Sequence, residues 1–539
     1  MISSIVLMIL LPLAMALLLL WPALRPAIVR GLGLAPLPAL LLLPAAWDGG
    51  ISSVTLPGGW TYVLDQPGAL MLAASTLLWI VGGLAAGRWL QQQEGQGRFA
   101  LWWLLTLSGS LGVFVAGDVV SFYALYALAS LPAYGLIAFS GRDEDRAAGR
   151  ITLAAALVGE GLILAALVLL VLSAPGQGLA ISTVVNALPQ SPDCALVLWL
   201  VVIGFGLKIG LVPLHGWMPM SYAAGPLAAT AVLSGATSKA GIIGLIRFLP
   251  LDAAMPVAGG LIVVAGLVSA FWGALVGLTQ SNPRSVLAYS SISQLGQMTA
   301  VLGAGLAAGV PGSGAVVALY AVYHVLTKGG LFLLLGATDE SRAMPKWQFV
   351  FAAFLALGFA GLPLTGGALG KIAFKDVAGS GVTGLLLTLA AVGSTLLVLH
   401  FLRLLRQAGR RVPGEALPAA AWIVTGIAAT LLQWSLFAAV TGVSATYALK
   451  PAVLFDLAWP IAAGALVAWG LAAAGTQIPR LPPGDIGAAG ITLLERAGNR
   501  LAPLVTALER DARRWQVSSL LIGVAVVLFA LALGFPALR

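Results

Sequence analysis

Cysteine is almost absent from this sequence: Cys194 stands alone among 539 residues. That excludes an internal disulfide and leaves no thiolate set for an iron–sulfur cluster or a structural zinc. Histidine is nearly as scarce, at His215, His324 and His400. No GxxxxGK[ST] run occurs, and GSGVTG (379–384) has GxGxxG spacing only at the head of an apolar run with no strand pattern before it, so the chain carries no legible nucleotide or redox-cofactor site, and no cofactor is expected in it. Charge is also thin: 9% of residues are ionisable, and the net charge is +9. A basic balance invites a nucleic-acid partner, but these basic residues sit in short loops on one side of a hydrophobic chain, and no nucleic-acid binding is expected.

Apolar residues are in excess. They make up 60% of the chain, and the mean hydropathy is +1.00, beyond what a soluble protein of this length sustains. The solvent for most of the molecule is the lipid bilayer. A helix crosses hydrocarbon in about 20 residues. Runs of that length predict sixteen spans, starting near Ile2, Pro26, Gly68, Phe99, Val119, Arg150, Ala195, Leu227, Met255, Ser285, Gly314, Trp347, Gly381, Leu417, Ala452 and Gln516. The first run, ISSIVLMILLPLAMALLLLW, has no basic residue before it and no cleavage site after it, and reads as a retained span. Alternating the loops places most loop Arg and Lys on one face, among them Arg142, Arg146, Arg150 and Arg284. Only Arg247, Lys375, Lys450 and Arg539 fall on the other. Basic loops are retained in the cytoplasm, so the expectation is a multi-pass protein of a bacterial-type inner (plasma) membrane with both termini outside. From about 484 to 515 the sequence is amphipathic and is expected to lie on the cytoplasmic surface before the last span.

Four further basic residues, Lys208, Lys239, Lys328 and Lys371, fall inside the spans. A charge there costs several kcal/mol unless paired or hydrated, which makes each a functional candidate. The competing account is a lysine near a helix end that snorkels to the headgroups. Lys208 precedes Pro213 and Pro219 in GLKIGLVPLHGWMP, and Lys371 follows Pro363 in GLPLTGGALGK. Proline and glycine predict a broken turn in both spans, tolerable at membrane depth only beside a hydrated cavity. These two spans are five apart, and an odd offset means opposite orientation. Residues 99–248 and 249–411 are therefore expected to form two inverted five-helix repeats, flanked by 1–98 and 412–539. A lone carboxylate, Glu160, sits at mid-span in ALVGEGLILAAL, either paired or protonated against a backbone carbonyl.

These stretches resemble the antiporter-like membrane subunits shared by respiratory complex I, energy-converting hydrogenases and Mrp-type Na⁺/H⁺ antiporters. The resemblance rests on GDVVSFYALYALASLPAYGLIAF (117–139), GLKIGLVPLHGWMP with ATAVLSGATSKAGIIGLIRF (204–248), NPRSVLAYSSISQLGQM (282–298), YHVLTKGGLFLLLGA (323–337) and GLPLTGGALGK (361–371), in the family's order. It implies an all-α fold with a fourteen-helix core, broken seventh and twelfth helices, and a hydrophilic axis through the membrane. Lys208 falls on the family's lysine of the seventh helix, Lys239 on that of the eighth, His324 and Lys328 on the pair in the eleventh, and Lys371 on the charged position of the twelfth. His324 and Lys328 are four apart and share a helix face. Departures accompany the matches. Where the family reads Trp-Glu this chain has Tyr126 and Ala127, the Asp of WLPDAH is Met220, an Asp is Asn282, and a common His is Gln294.

The expected activity is translocation of protons or Na⁺ through Lys208, Lys239, Glu160, His324, Lys328 and Lys371, with Glu160 supplying the carboxylate missing at Ala127. His215, Asp118, Lys375 and Asp376 are further access or exit candidates. The expected partners are other membrane and soluble subunits of a complex, such as a translocating oxidoreductase of the NADH-quinone dehydrogenase or hydrogenase type, which would carry the redox chemistry. Two alternatives use the same fold: coupling of a cation gradient to a carbonic-anhydrase-like soluble partner that accumulates inorganic carbon, and a structural coupling subunit that conducts nothing.

Overall fold

The computed structural model describes residues 2–48, 51–56, 59–337, 344–408, 417–476 and 478–485. The span expected near Gln516, and all of the amphipathic stretch except Gly484 and Asp485, lie outside the described residues.

In a bilayer every backbone N–H needs a partner within the protein, so the apolar runs become helices. They are α1 (Ile2–Leu18), α2 (Gln66–Leu90), α3 (Gln96–Gly112), α4 (Val119–Ser130), α5 (Ala133–Ile137), α6 (Asp143–Leu172), α7 (Cys194–Ile209), α8 (Trp217–Ala224) and α9 (Leu227–Val232). There follow α10 (Lys239–Phe248), α11 (Pro256–Leu278), α12 (Pro283–Ala308), α13 (Ser313–Ala337), α14 (Lys346–Leu357), α15 (Gly366–Ala378), α16 (Val382–Ala408), α17 (Ala419–Thr441) and α18 (Pro451–Ala473). The molecule is a multi-pass, helical membrane protein. Among the described residues, nine helices are long and apolar enough to cross a bilayer, or ten if a bent pair near the N-terminus counts as one span.

Two of the stretches read as spans depart from a regular apolar helix, one through proline and one through polarity. The stretch starting near Pro26 is not one regular α-helix. Its helical pieces are Arg25–Arg30, Leu32–Leu34, Leu37–Leu42 and Ala45–Asp48. Pro22, Pro26, Pro36, Pro38 and Pro44 each remove a backbone donor there. Helix α12 is long enough but carries Ser, Gln and Tyr and is almost wholly buried. Its polar side chains face other helices rather than lipid. Between α1 and α2 a short hairpin pairs Ser52–Thr55 with Thr61–Leu64 antiparallel, in register Ser52 to Leu64.

Helix α13 is the axis of the bundle. Nearly every one of its side chains is buried, and it packs against α2, α9, α12, α15 and α17. Both broken turns expected from proline and glycine occur. Helix α7 stops at Ile209, where Gly210 takes φ +70 and Leu211 N–H closes on the Gly206 carbonyl at 2.8 Å. Glycine adopts this left-handed cap without the Cβ clash other residues meet. The chain resumes as helix at Trp217. Likewise α14 ends at Leu357, Leu362 N–H closes on its carbonyl at 3.2 Å, and Thr365 caps α15 by accepting from Ala368 N–H. A third interruption was not read from the sequence: a π-helical turn, Leu233–Thr237, joins α9 to α10 just before Lys239.

Candidate functional site

Lys208 lies one residue before the end of α7, facing α4 and α6. Its ammonium donates to Ser130 Oγ at 2.8 Å and lies 5.8 Å from the centre of the Tyr126 ring. Glu160 on α6, only 5% exposed, is near enough to Lys208 to interact with it electrostatically, and Ser130 bears on both groups. The approach depends on two glycines. Gly159 and Gly204 face each other across α6 and α7, and a Cβ on Gly204 would lie 2.7 Å from Ile163 Cγ1. Beside Lys208 is a cavity of about 20 Å³, measured as space open to a water's centre and lined by Tyr126, Ser130, Thr152 and Trp217. That is room for about one water.

Along the axis, Lys239, His324 and Lys328 are fully buried. The Lys239 ammonium donates to the Ser234 carbonyl at 3.1 Å and to Ser238 Oγ at 3.0 Å. The carbonyl lies in the π turn, where widened geometry frees backbone acceptors. Lys328 donates to the Leu287 carbonyl at 2.9 Å and sits 4.7 Å from the centre of the Phe359 ring. Both lysines are close enough to His324 to act on it electrostatically. Neither ring nitrogen of His324 has a hydrogen-bond partner among the described residues. A buried imidazole with both nitrogens open is costly as a structural element and suited to passing a proton.

Lys371, on α15 just beyond the second break, donates to Gln297 Oε1 of α12 and faces the Tyr320 ring at 5.5 Å. Tyr320 OH donates in turn to Gln294 Oε1, and Gln294 Nε2 donates to Ser394 Oγ at 3.0 Å. Gln294, at the family's His position, therefore keeps the polar link without a titratable group. A cavity of about 40 Å³, again measured at water centres, runs between Lys371, Gln297, Lys375, Thr388 and Asp456. At its outer end Lys375 and Asp456 are exposed and 3.6 Å apart. The carboxylate there is Asp456 of α18 rather than Asp376, which is exposed and has no part in the cavity lining.

Two of the access candidates have partners that the sequence did not single out. Asp118 caps α4: its oxygens accept from Ser121 N–H and Oγ–H, at 2.8 and 2.7 Å, and from Thr61 N–H at 2.7 Å. It fastens the hairpin to the bundle. His215, in the break between α7 and α8 and fully buried, faces a carboxylate that the sequence did not single out. Asp485 is only 3% exposed in its side chain. It accepts from His215 Nε2, Trp272 Nε1 and Tyr289 OH at 3.1, 3.1 and 2.9 Å. Burial alone would raise its pKa, but the hydrogen bonds and charge of His215, with the Trp272 and Tyr289 donors, hold it below the ordinary carboxylate value. Asp485 thus does not lie on the surface as the amphipathic pattern predicts. Among the described residues, no three His, Cys, Asp or Glu side chains converge where a metal ion could sit.

Comparison with known proteins agrees with this arrangement. The model of the NADH:quinone oxidoreductase/Mrp antiporter transmembrane family matches residues 116–397, just over half of the chain. NADH-quinone oxidoreductase subunit N of Desulforudis audaxviator is 29% identical over 357 residues, 63% of this chain and 70% of that one. Subunit M of Escherichia coli K12 is 28% identical over 331 residues, 57% of this chain and 64% of that one, so the chain spans just under two thirds of that relative. A chain of the Mrp complex from Dietzia sp. DQ12-45-1b superposes with a TM-score of 0.75 at 21% identity, covering 100% of this chain and 63% of that one. A chain of the membrane-bound sulfane sulfur reductase, an archaeal respiratory membrane complex, does so at 0.67 and 19%, covering 97% and 99%. These two likenesses show a shared fold. With the lysine-bearing broken helices in place and the family model matched across them, the chain belongs to the NADH:quinone oxidoreductase/Mrp antiporter transmembrane family.

Proposed function

We propose that this protein translocates protons, or Na⁺, as an antiporter-like subunit of a larger membrane complex. The observation that carries the reading is the row of buried cationic side chains. Lys208, Lys239, Lys328 and Lys371 are held mostly by neutral acceptors (Ser130, Ser238, backbone carbonyls, Gln297) and aromatic faces. An inert anchor has no need to carry the cost of such groups at membrane depth. Neutral acceptors suit lysines that gain and lose a proton, because neither state is locked by a permanent counter-ion.

On this reading Glu160 and Lys208 form the switchable pair of the first half. Lys239, His324 and Lys328 make the link, and Lys371 serves the second half, with the Lys375–Asp456 mouth as its exit. Residues 99–248 and 249–411 act as inverted half-channels, each with one broken helix. The relatives are named as subunits of NADH-quinone oxidoreductase, which supports partner subunits and a redox reaction housed elsewhere in the complex. The basic loops favour an orientation with the Arg142 and Arg284 end in the cytoplasm of a bacterial-type inner membrane.

The test is reconstitution of the assembly, purified in mild detergent, into proteoliposomes with an internal pH-sensitive dye and an imposed membrane potential. The wild type is expected to move protons, and Lys328→Ala to reduce the flux to that of empty liposomes. Equal flux from the Lys328→Ala assembly contradicts the reading.

A further inference from the structure

Asp485 itself belongs to none of the family's matched stretches, although its partners do. Asp485 lies beyond α18, 270 residues from His215 in sequence, and outside the family match, which ends at 397. Yet its carboxylate is among the best-satisfied buried groups in the molecule, with donors from three separate elements: the α7–α8 break, α11 and α12. The backbone is shaped to deliver it. Pro482 and Pro483 lead into Gly484 at φ +93, Asp485 itself takes φ +36, and Gly484 N–H donates to Tyr289 OH. Gln280 Nε2 ties the approach by donating to the Leu481 carbonyl. A non-glycine residue with positive φ is held there by its surroundings.

The cluster sits at the end of the bundle where Arg142 and Arg284 donate to the carbonyls of Ala224 and of Ala223 and Gly225. Trp272 is six residues from the end of α11 and Tyr289 six from the start of α12, which puts the carboxylate about 9 Å inside. On its inner side the cluster meets the first half of the axis. The His215 side chain packs beneath Gly210, which caps the helix bearing Lys208. Two residues on, Trp217 donates its indole N–H to the Leu207 carbonyl and lines the cavity beside Lys208. His215 Nδ1 is buried and has no partner among the described residues. Nε2 donates to the carboxylate in the neutral tautomer, so Nδ1 offers a bare lone pair.

We propose that Asp485 and His215 form a proton-collecting station that feeds Lys208 from the Arg142 and Arg284 end, with the carboxylate supplied from outside the family core. The step is a plain relay. A proton from the aqueous side binds at the His215–Asp485 pair and makes an imidazolium beside a carboxylate. The imidazolium N–H bond then breaks as the unprotonated Lys208 amine gains that proton, through water in the break. One proton enters and one leaves, and no other bond changes. Among the described residues, Tyr289 is the other titratable group bonded to the pair. Trp272, from α11, holds the carboxylate without titrating.

The proposal rests on the proton-translocation reading, and its test separates the two. Proteoliposomes holding the complete assembly are compared over a pH series for wild type, Asp485→Asn, His215→Gln and Asp485→Glu. The expected result is a flux about tenfold or more lower for Asp485→Asn and His215→Gln. In Asp485→Asn the pH profile of the remaining flux should differ from that of wild type, because the carboxylate that accepts from His215 is gone. Asp485→Glu should recover the rate and the profile. Active wild type with an unchanged Asp485→Asn rate and profile overturns the station alone. So does a loss of flux with an unshifted profile that Asp485→Glu leaves unrestored, which makes Asp485 a structural anchor. A wild type that moves no protons overturns the translocation reading and the station with it.

Discussion

At the scale of single residues, the account turns on how a lysine is kept in a membrane without a permanent counter-ion. Lys208, Lys328 and Lys371 each combine one hydrogen bond with an aromatic face. Such faces attract a cation by about 0.5–2 kcal/mol and still let it discharge. Among the described residues, Glu160 is the one buried carboxylate that acts electrostatically on any of them, and on the proposed reading it takes the role left empty by Ala127. Ala127 and Ser130 are three apart on α4 and share a face, and Ser130 touches Lys208. A carboxylate returned to position 127 would therefore reach the same ammonium. Glu160→Gln is expected to cut proton flux by about 100-fold, and Glu160→Gln combined with Ala127→Glu to recover part of it. A double variant no better than the single one argues against Glu160 as the substitute. The lysines were legible in the sequence because charge inside an apolar run is conspicuous. Asp485 and Asp456 were not. Each reads as an ordinary polar residue at a helix border, and what makes it notable is a contact across the fold, His215 for one and Lys375 for the other.

At the scale of elements, broken helices and glycine contacts put polar groups where an uninterrupted bundle would have none. The breaks after Ile209 and Leu357 could be read from proline and glycine, since both residues act locally. The π turn before Lys239 could not, because LSGAT carries no breaker stronger than one glycine and the turn arises from packing against α13. The irregularity of the stretch after α1 was missed for the opposite reason. Its apolar composition outweighed its prolines in a reading by hydrophobic length alone. The Gly159–Gly204 contact gives this scale its prediction. Gly204→Leu places a side chain where even a Cβ meets Ile163 Cγ1 at 2.7 Å. It should force α6 away from α7, cost about 1–3 kcal/mol of stability, and abolish flux by withdrawing Glu160 from Lys208. A thermal-stability scan alongside the flux assay checks both. Normal flux in a folded Gly204→Leu protein would show that this helix contact does not set the pair.

At the scale of the whole molecule, polar groups run from the Asp485 cluster through Lys208, the buried Lys239, His324 and Lys328, to Lys371 and the exposed Lys375–Asp456 mouth. The family core supplies the lysines, while Asp456 and Asp485, at two extremes of this path, come from chain beyond the matched residues. Lys371 is the step every ion must pass on this route, because it stands between the buried centre and the cavity that leads to the exposed mouth. The most direct test is proton flux through proteoliposomes holding the complete assembly with Lys371→Ala, after insertion and assembly are shown to equal wild type. The account predicts flux indistinguishable from empty liposomes; flux equal to wild type would contradict it.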